Sequence, residues 1–325
     1  MCHLPFPFVD IVGTLQYRAA MAEPSVQSSV STVQPQTHEN KNTPLWTELA
    51  RLIRLPNQSG TLLLMLPTLW ALVFASQGHP SLTLVLIFAA GSFVMRSAGV
   101  VMNDLADRSF DRHVERTRTR PLASGAVTIQ QAWLTIVVLL IIAACLLLLL
   151  DPLAIALSPA AVLLAAIYPF SKRVFPLPQA VLGIAFGWGV IMAWAATTSD
   201  VPLPAWLLYA STICWAIVYD TIYALQDRED DLRIGVRSSA ILFGSYAWLA
   251  VACCLTLMLV LLGLSGWYYG LNAGFYGMLA AIAGFLTQHV LAIRKPISPT
   301  QAFRLFRQHV WVGWLILAGI WIGFL

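Results

Sequence analysis

Two stretches, NDLADRSFDR at residues 103–112 and ALQDREDDLR at residues 224–233, set clusters of carboxylates directly behind long apolar runs. Carboxylates are expensive inside hydrocarbon, so acids at the end of such a run mark a helix that leaves the bilayer or opens on a polar cavity. The runs decide the fold class. A membrane-spanning helix needs about 20 apolar residues at 1.5 Å rise each. Nine candidates fall near residues 58–76, 81–102, 132–150, 153–170, 179–198, 204–223, 239–263, 268–290 and 308–325. With 10% of the 325 residues charged and 58% hydrophobic, the chain departs far from the roughly 25% charged composition of a soluble domain. The expectation is an all-α polytopic membrane bundle, nine transmembrane helices around a central cytoplasm-facing cavity.

The net charge of +4 is topological and not a nucleic-acid footprint. Of the 19 Lys and Arg residues, Arg96 alone falls within a span; every other one lies on the inner side once the N-terminus is cytoplasmic. The positive-inside rule then puts the C-terminus outside and both acidic clusters on the cytoplasmic side of a bacterial plasma membrane. The five cysteines have no disulfide or zinc spacing: Cys2 lies in the tail, and Cys145, Cys214, Cys253 and Cys254, which fall in spans, read as small buried hydrophobes. Residues 1–44 read as a disordered cytoplasmic leader, being Ser/Thr/Pro-rich from residue 22, and residues 45–325 as the bundle. The first twenty residues lack the long apolar core of a signal peptide.

Residues four apart on a helix share a face, so Asn103, Asp107 and Asp111 span an arc of about 80°. Arg96, seven residues earlier, joins them. Asp220, Asp227 and Asp231, spaced by seven and four, are expected to share a face in the same way, whereas Glu115, Glu229 and Asp230 read as solvated loop acids. Two opposed carboxylate faces suit a hard divalent cation, and magnesium typically takes one or two carboxylates plus substrate phosphate oxygens. The basic residues that follow, Arg112, Arg116, Arg118 and Arg120, then Lys172 and Arg173, then Arg233 and Arg237, suit a clamp on diphosphate oxygens. Arg51 and Arg54, before the first span, could pair with a substrate carboxylate. Both clusters end an even-numbered span, as in a weak internal duplication. A transporter is the rival class. Against it, only Asp151 and Asp200 lie on the outer side, with no acidic pathway between the faces.

NDLADRSFDRHVERTRTRPLASG at residues 103–125 resembles the first aspartate-rich signature, N-D-x-x-D-x-x-x-D, of the UbiA superfamily of intramembrane prenyltransferases. YALQDREDDLRIGVRSSAILFG resembles the second, and YPFSKR the tyrosine and lysine signature between them. The similarity runs from about Leu45 to Leu325. QAVLGIAFGWGVIMAW and the second motif look closest to the 4-hydroxybenzoate polyprenyltransferase branch, and KRVFPLPQ with DREDDLRIGVRSSA is similar to its cyanobacterial members. The resemblance implies that Asn103, Asp107, Asp227 and Asp231 hold Mg2+ and a polyprenyl diphosphate, with Asp104 and Asp111 supporting. Tyr168 and Lys172 would meet the leaving group, and Arg96, Arg51, Arg54, Arg116, Arg120 and Arg233 would bind substrate. The implied reaction prenylates 4-hydroxybenzoate ortho to its hydroxyl within the bilayer, with no protein partner inferable. Branches acting on homogentisate, naphthoate, haem or chlorophyllide are the alternatives. One departure stands out. The branch has a basic residue and proline close before a Gly-Thr pair, but here Asn57, Gln58 and Ser59 intervene in RLIRLPNQSGTLLL, which leaves open the residue that receives the acceptor carboxylate.

Overall fold

The computed structural model describes residues 43–325 except His113, Glu115 and Val236, and does not describe the side chains of Lys172, Arg173, Asp230 and Ile234. The expected leader therefore lies, apart from Thr43 and Pro44, outside the described residues. The described chain is helical, without a strand: α1 (Leu45–Leu52), α2 (Ser59–Ala75), α3 (Leu82–Asp111), α4 (Pro121–Ser124), α5 (Ile129–Leu147), α6 (Pro152–Val174) and α7 (Pro178–Thr198) come first. They are followed by α8 (Leu203–Ala224), α9 (Arg228–Ile234), α10 (Ser239–Phe243), α11 (Ala247–Tyr268), α12 (Ala273–Ala292) and α13 (Pro299–Phe324).

Local chemistry sets the boundaries. Thr128 with Gln131 and Ser298 with Gln301 close reciprocal capping boxes on α5 and α13, satisfying amides that a helix start leaves open. Proline opens α6, α7 and α13, where its missing N–H costs nothing. Asp151 caps α6 by accepting from the Leu153 amide at 2.8 Å and from the Ser199 hydroxyl at 2.6 Å. The Ser199 hydroxyl and that amide hold the Asp151 carboxyl below its usual range, because both donate to the charged form.

Among the described residues eight helices are long and apolar enough to span a bilayer. The expected ninth, α2, has 17 residues, the lower limit for a span. It lies inside the bundle, with ten of them buried, and packs on α3, α7 and α13. Trp70 on α2 donates to the Gly313 carbonyl of α13 at 2.9 Å, and Trp70, Phe74, Trp194, Trp215 and Phe275 fill the centre. At Gly183 a Cβ would stand 2.9 Å from the Ile213 backbone, so α7 and α8 meet through the missing side chain. α5 and α6 are lipid-facing, with Leu134, Ile141 and Leu163 exposed, and they barely touch one another.

α3 runs on past the apolar stretch that ends near residue 102 for about two and a half turns and carries Asn103, Asp107 and Asp111 on one helix, as their spacing predicts. The second cluster has no such continuity: α8 ends at Ala224 and α9 starts at Arg228, so the single helical face expected for Asp220, Asp227 and Asp231 is broken between its first two members. The duplication therefore fails at the helix ends it was meant to equate. The seventh span also differs, since α10 and a single 3-10 turn, Gly244–Tyr246, precede α11.

Candidate active site

A cavity of about 600 Å³ runs between α2, α3, α5, α6, α7 and α8, with α13 at its edge. Its lining on α3 extends from Ile87 to Asn103 and Asp104, so at 1.5 Å per residue it follows that helix for about 24 Å. The character changes along this length. Ile87, Phe88, Leu147 and Leu150 line one end; Arg54, Arg96, Asn103, Asp104 and Arg120 line the other.

Arginines and carboxylates interlock at the polar end. Asp104 is 1% exposed. Both its oxygens accept from Arg54 Nη2 at 2.9 Å, and Oδ1 also accepts from Arg120 Nη1 at 3.2 Å. Arg120 Nη1 reaches Asp111 at 2.8 Å as well. The loop after α3 is thus folded back on its own helix, and Thr117 Oγ1, Arg108 and Arg112 tie it further by donating to the carbonyls of Asp111, Leu122 and Ala123. Arg51 pairs with Glu48 and donates to the Thr119 carbonyl, bracing the same loop without lining the cavity.

Asn103 links the cavity wall to Asp107. Its Nδ2 donates to Asp107 Oδ2 at 3.1 Å, while its buried Oδ1 has no hydrogen-bond donor among the described residues. Across the opening, Arg116 makes a two-point contact with Asp227 at 2.9 and 2.8 Å and donates to the Tyr223 hydroxyl at 3.3 Å. Burial opposes the charge on Arg116, but Tyr223 and Asp227 outweigh it and hold the guanidinium above its ordinary pKa. Asp107 stands one hydrogen bond from a wall residue, Asn103, and Asp227 two, reaching Tyr223 through Arg116. Among the described residues no three Asp, Glu, His or Cys side chains converge into a metal cage. The donor set still suits a hard cation, because an undonated amide oxygen beside a carboxylate leaves coordination positions for ligand oxygens.

Tyr168 lines the cavity, whereas the Lys172 side chain lies outside the described residues. Arg233 is exposed on α9, and neither it nor Asp231 lines the cavity. Arg96 sits deeper than the other cations. A Cβ at Gly60 would meet its Nη2 at 2.8 Å, its guanidinium lies 5.7 Å from the Phe186 ring centroid, and its buried Nε has no acceptor among the described residues. Sequence reasoning missed the Gly60 cradle and the Tyr219 and Tyr223 wall; Asp220, expected on the second acidic face, lines the cavity, as do Asn57 and Ser59, noted there only as a departure.

The model of the UbiA prenyltransferase family matches residues 64–323. The chain belongs to that family. A 4-hydroxybenzoate octaprenyltransferase of Coxiella burnetii is 46% identical over 270 residues, 83% of this chain and 94% of the relative. One of Tolumonas auensis is 47% identical over 278 residues, 86% and 97%. Among solved structures, the apo UbiA homolog from Aeropyrum pernix K1 aligns with TM-score 0.68 and 29% identity over 79% of this UbiA chain and 96% of its own. The Archaeoglobus fulgidus homolog bound to GPP and Mg2+ aligns with TM-score 0.61 and 17% identity over 85% and 99%, which speaks for the fold alone.

Proposed function

We propose that this UbiA protein transfers a long polyprenyl group from its diphosphate to the ring of 4-hydroxybenzoate, ortho to the hydroxyl, as a step in making a membrane quinone. The observation that carries the reading is the cavity's division into an arginine-rich mouth and an apolar length behind the loosely joined α5 and α6, in a chain 46% identical to a relative of that name. A diphosphate fits the first part. An isoprenoid fits the second, with the remaining tail passing between α5 and α6 into lipid.

Asn103, Asp107, Asp227 and Asp231 would hold Mg2+, which when bound neutralises charge developing on the departing diphosphate. Asp104 and Asp111 serve differently. They hold Arg54 and Arg120 so that these guanidiniums face the diphosphate, a preorganised electrostatic contribution that needs no rearrangement during reaction. Tyr168 and Lys172 meet the leaving group. As the carbon–oxygen bond breaks, the allylic carbon becomes cationic, the acceptor ring carbon attacks it, and that carbon then loses its proton. The enclosed apolar wall keeps water from the cation. Arg96 receives the acceptor carboxylate, since Arg51 pairs with Glu48 away from the cavity and Arg54 is given to the diphosphate, while Arg96 has a buried donor to offer.

The decisive assay supplies purified protein, magnesium, a long-chain polyprenyl diphosphate and a panel of aromatic acceptors, with mass spectrometry of the product. Prenylated 4-hydroxybenzoate with its carboxylate retained is expected, and exclusive use of homogentisate, a naphthoate or a tetrapyrrole would overturn the acceptor. Arg96→Gln should raise KM for 4-hydroxybenzoate at least tenfold more than KM for the diphosphate; equal rises would remove Arg96 from carboxylate binding. The reading also puts the N-terminus and the active site on the cytoplasmic face of the plasma membrane. A cysteine introduced at Asp200 should label from outside intact cells and one at Arg118 should not, and the reverse pattern would invert the topology.

A further inference from the structure

α13 carries a second groove, of about 380 Å³, that the reaction does not use. Thr300, Arg304, Arg307 and Trp311 line it, with Phe303 and Gln308. The first four are spaced by four, three and four, so they form one stripe along the helix. It is the outward stripe: Ala302, His309, Val312 and Ile316 point inward and are buried, whereas Trp311 is 70% exposed. Trp311, Trp314 and Leu315 continue this exposed face toward the helix middle, so the groove sits where the helix meets lipid, with its cations at the polar end and an aromatic one to two turns deeper.

No described residue forms an ion pair with Arg304 or Arg307. Local acids are absent by sequence: after Asp231 the chain has no Asp or Glu but carries Arg233, Arg237, Arg294, Lys295, Arg304 and Arg307. Two guanidiniums one turn apart, left without a carboxylate beside an exposed indole, are complementary to a phosphodiester with an acyl chain below it. We infer that this groove is a binding site for the headgroup of an anionic phospholipid. Arg304 and Arg307 grip the phosphate, Thr300 and Gln308 supply further polar contacts, and the ring of Trp311 lies along the first methylenes of the chain. A soluble anion would gain nothing from Trp311, and the substrate diphosphate has its own arginines on the cavity side. Phe303 belongs to both walls, so the bound lipid would back the rim of the active cavity.

Native mass spectrometry of the full chain released from mixed phosphatidylcholine–phosphatidylglycerol nanodiscs tests this. Phosphatidylglycerol should be retained over phosphatidylcholine, and Arg304→Gln/Arg307→Gln should lower that preference about tenfold, in keeping with the attraction of two interfacial cations. Arg294→Gln/Lys295→Gln, which removes the same charge elsewhere on the rim, should leave it nearly intact. Equal loss in both double variants would reduce the effect to diffuse charge and overturn the site. Displacement of the lipid by inorganic phosphate would overturn it in favour of a free-anion site. In a neutral detergent without anionic lipid, Arg304→Gln/Arg307→Gln should keep the KM for polyprenyl diphosphate; a several-fold rise there would make the groove part of substrate entry and overturn the lipid assignment.

Discussion

The two aspartate-rich motifs look alike as text and are built differently. The first rides on an unbroken helix to Asp111 and is locked by Arg54 and Arg120 around a carboxylate that is 1% exposed. The second begins after α8 has ended, and its described ion pair is Arg116 with Asp227, whose side chains are 44% and 18% exposed. A rigid half faces a half set on a turn. Such an arrangement suits a site that must admit a large anionic substrate and then close over it: one wall fixes the diphosphate's position while the other adjusts, since loops and short helices absorb backbone change more readily than a packed helix.

The largest expected effects fall on the carboxylate that each half is proposed to offer the metal. Asp107→Ala and Asp231→Ala should each lower kcat by at least about 10²–10³-fold, the scale for removing a group that stabilises transition-state charge, and leave expression and thermal unfolding close to the parent. Turnover near the parent rate in saturating magnesium would take that carboxylate out of the mechanism.

The helical bundle and the face shared by Asn103, Asp107 and Asp111 were legible in the sequence because their signals are local. Apolar runs of bilayer length and an i, i+4 stripe depend on helix geometry alone, and α3 obeys it. What was illegible depends on distance along the chain. Asp104 read as a supporting metal ligand, yet its partners Arg54 and Arg120 arrive from 50 and 16 residues away. The face proposed for Asp220, Asp227 and Asp231 assumed a helix that the turn at residues 225–227 interrupts. No periodicity announces that turn, because Gln, Asp and Leu are all acceptable within a helix. Arg96 was noticed as the one cation within a span, but Gly60, which makes room for it, lies in the segment that departs from the family pattern.

The next effect in size separates the halves through stability. Asp104→Asn leaves Arg54 without its carboxylate in a place that is largely buried. Breaking a fully buried pair costs roughly 3–5 kcal/mol, and because Arg54 and Arg120 keep 30% and 22% exposure a loss of about 2–3 kcal/mol is expected instead. Thermal unfolding in detergent reads this. Unchanged unfolding with a kcat fall as deep as that of Asp107→Ala would give Asp104 a direct part in the chemistry and undo the division between a structural and a metal-holding carboxylate in the first motif.

The smallest effect probes the second motif. Arg116→Gln removes an ion pair that is nearly half exposed on the arginine side, so its stability cost should stay under about 1 kcal/mol. Its consequence should lie in metal affinity. Arg116 occupies both oxygens of Asp227, and a cation bound there has to displace it. Without that competitor the magnesium concentration for half-maximal activity should fall by about 2–5-fold, the equivalent of a few tenths to 1 kcal/mol. The change should come with a lower kcat if Arg116, once displaced, turns to the diphosphate. The equivalent substitution in the first half, Arg120→Gln, should not lower the magnesium requirement, because Arg120 holds Asp104 and Asp111 and leaves Asp107 alone. Magnesium titration of activity in the two variants therefore bears on the contrast itself: a shift in Arg116→Gln only supports a guarded, adjustable second motif, whereas equal shifts, or a higher requirement in Arg116→Gln, would mean that Arg116 helps to assemble the site it was thought to guard.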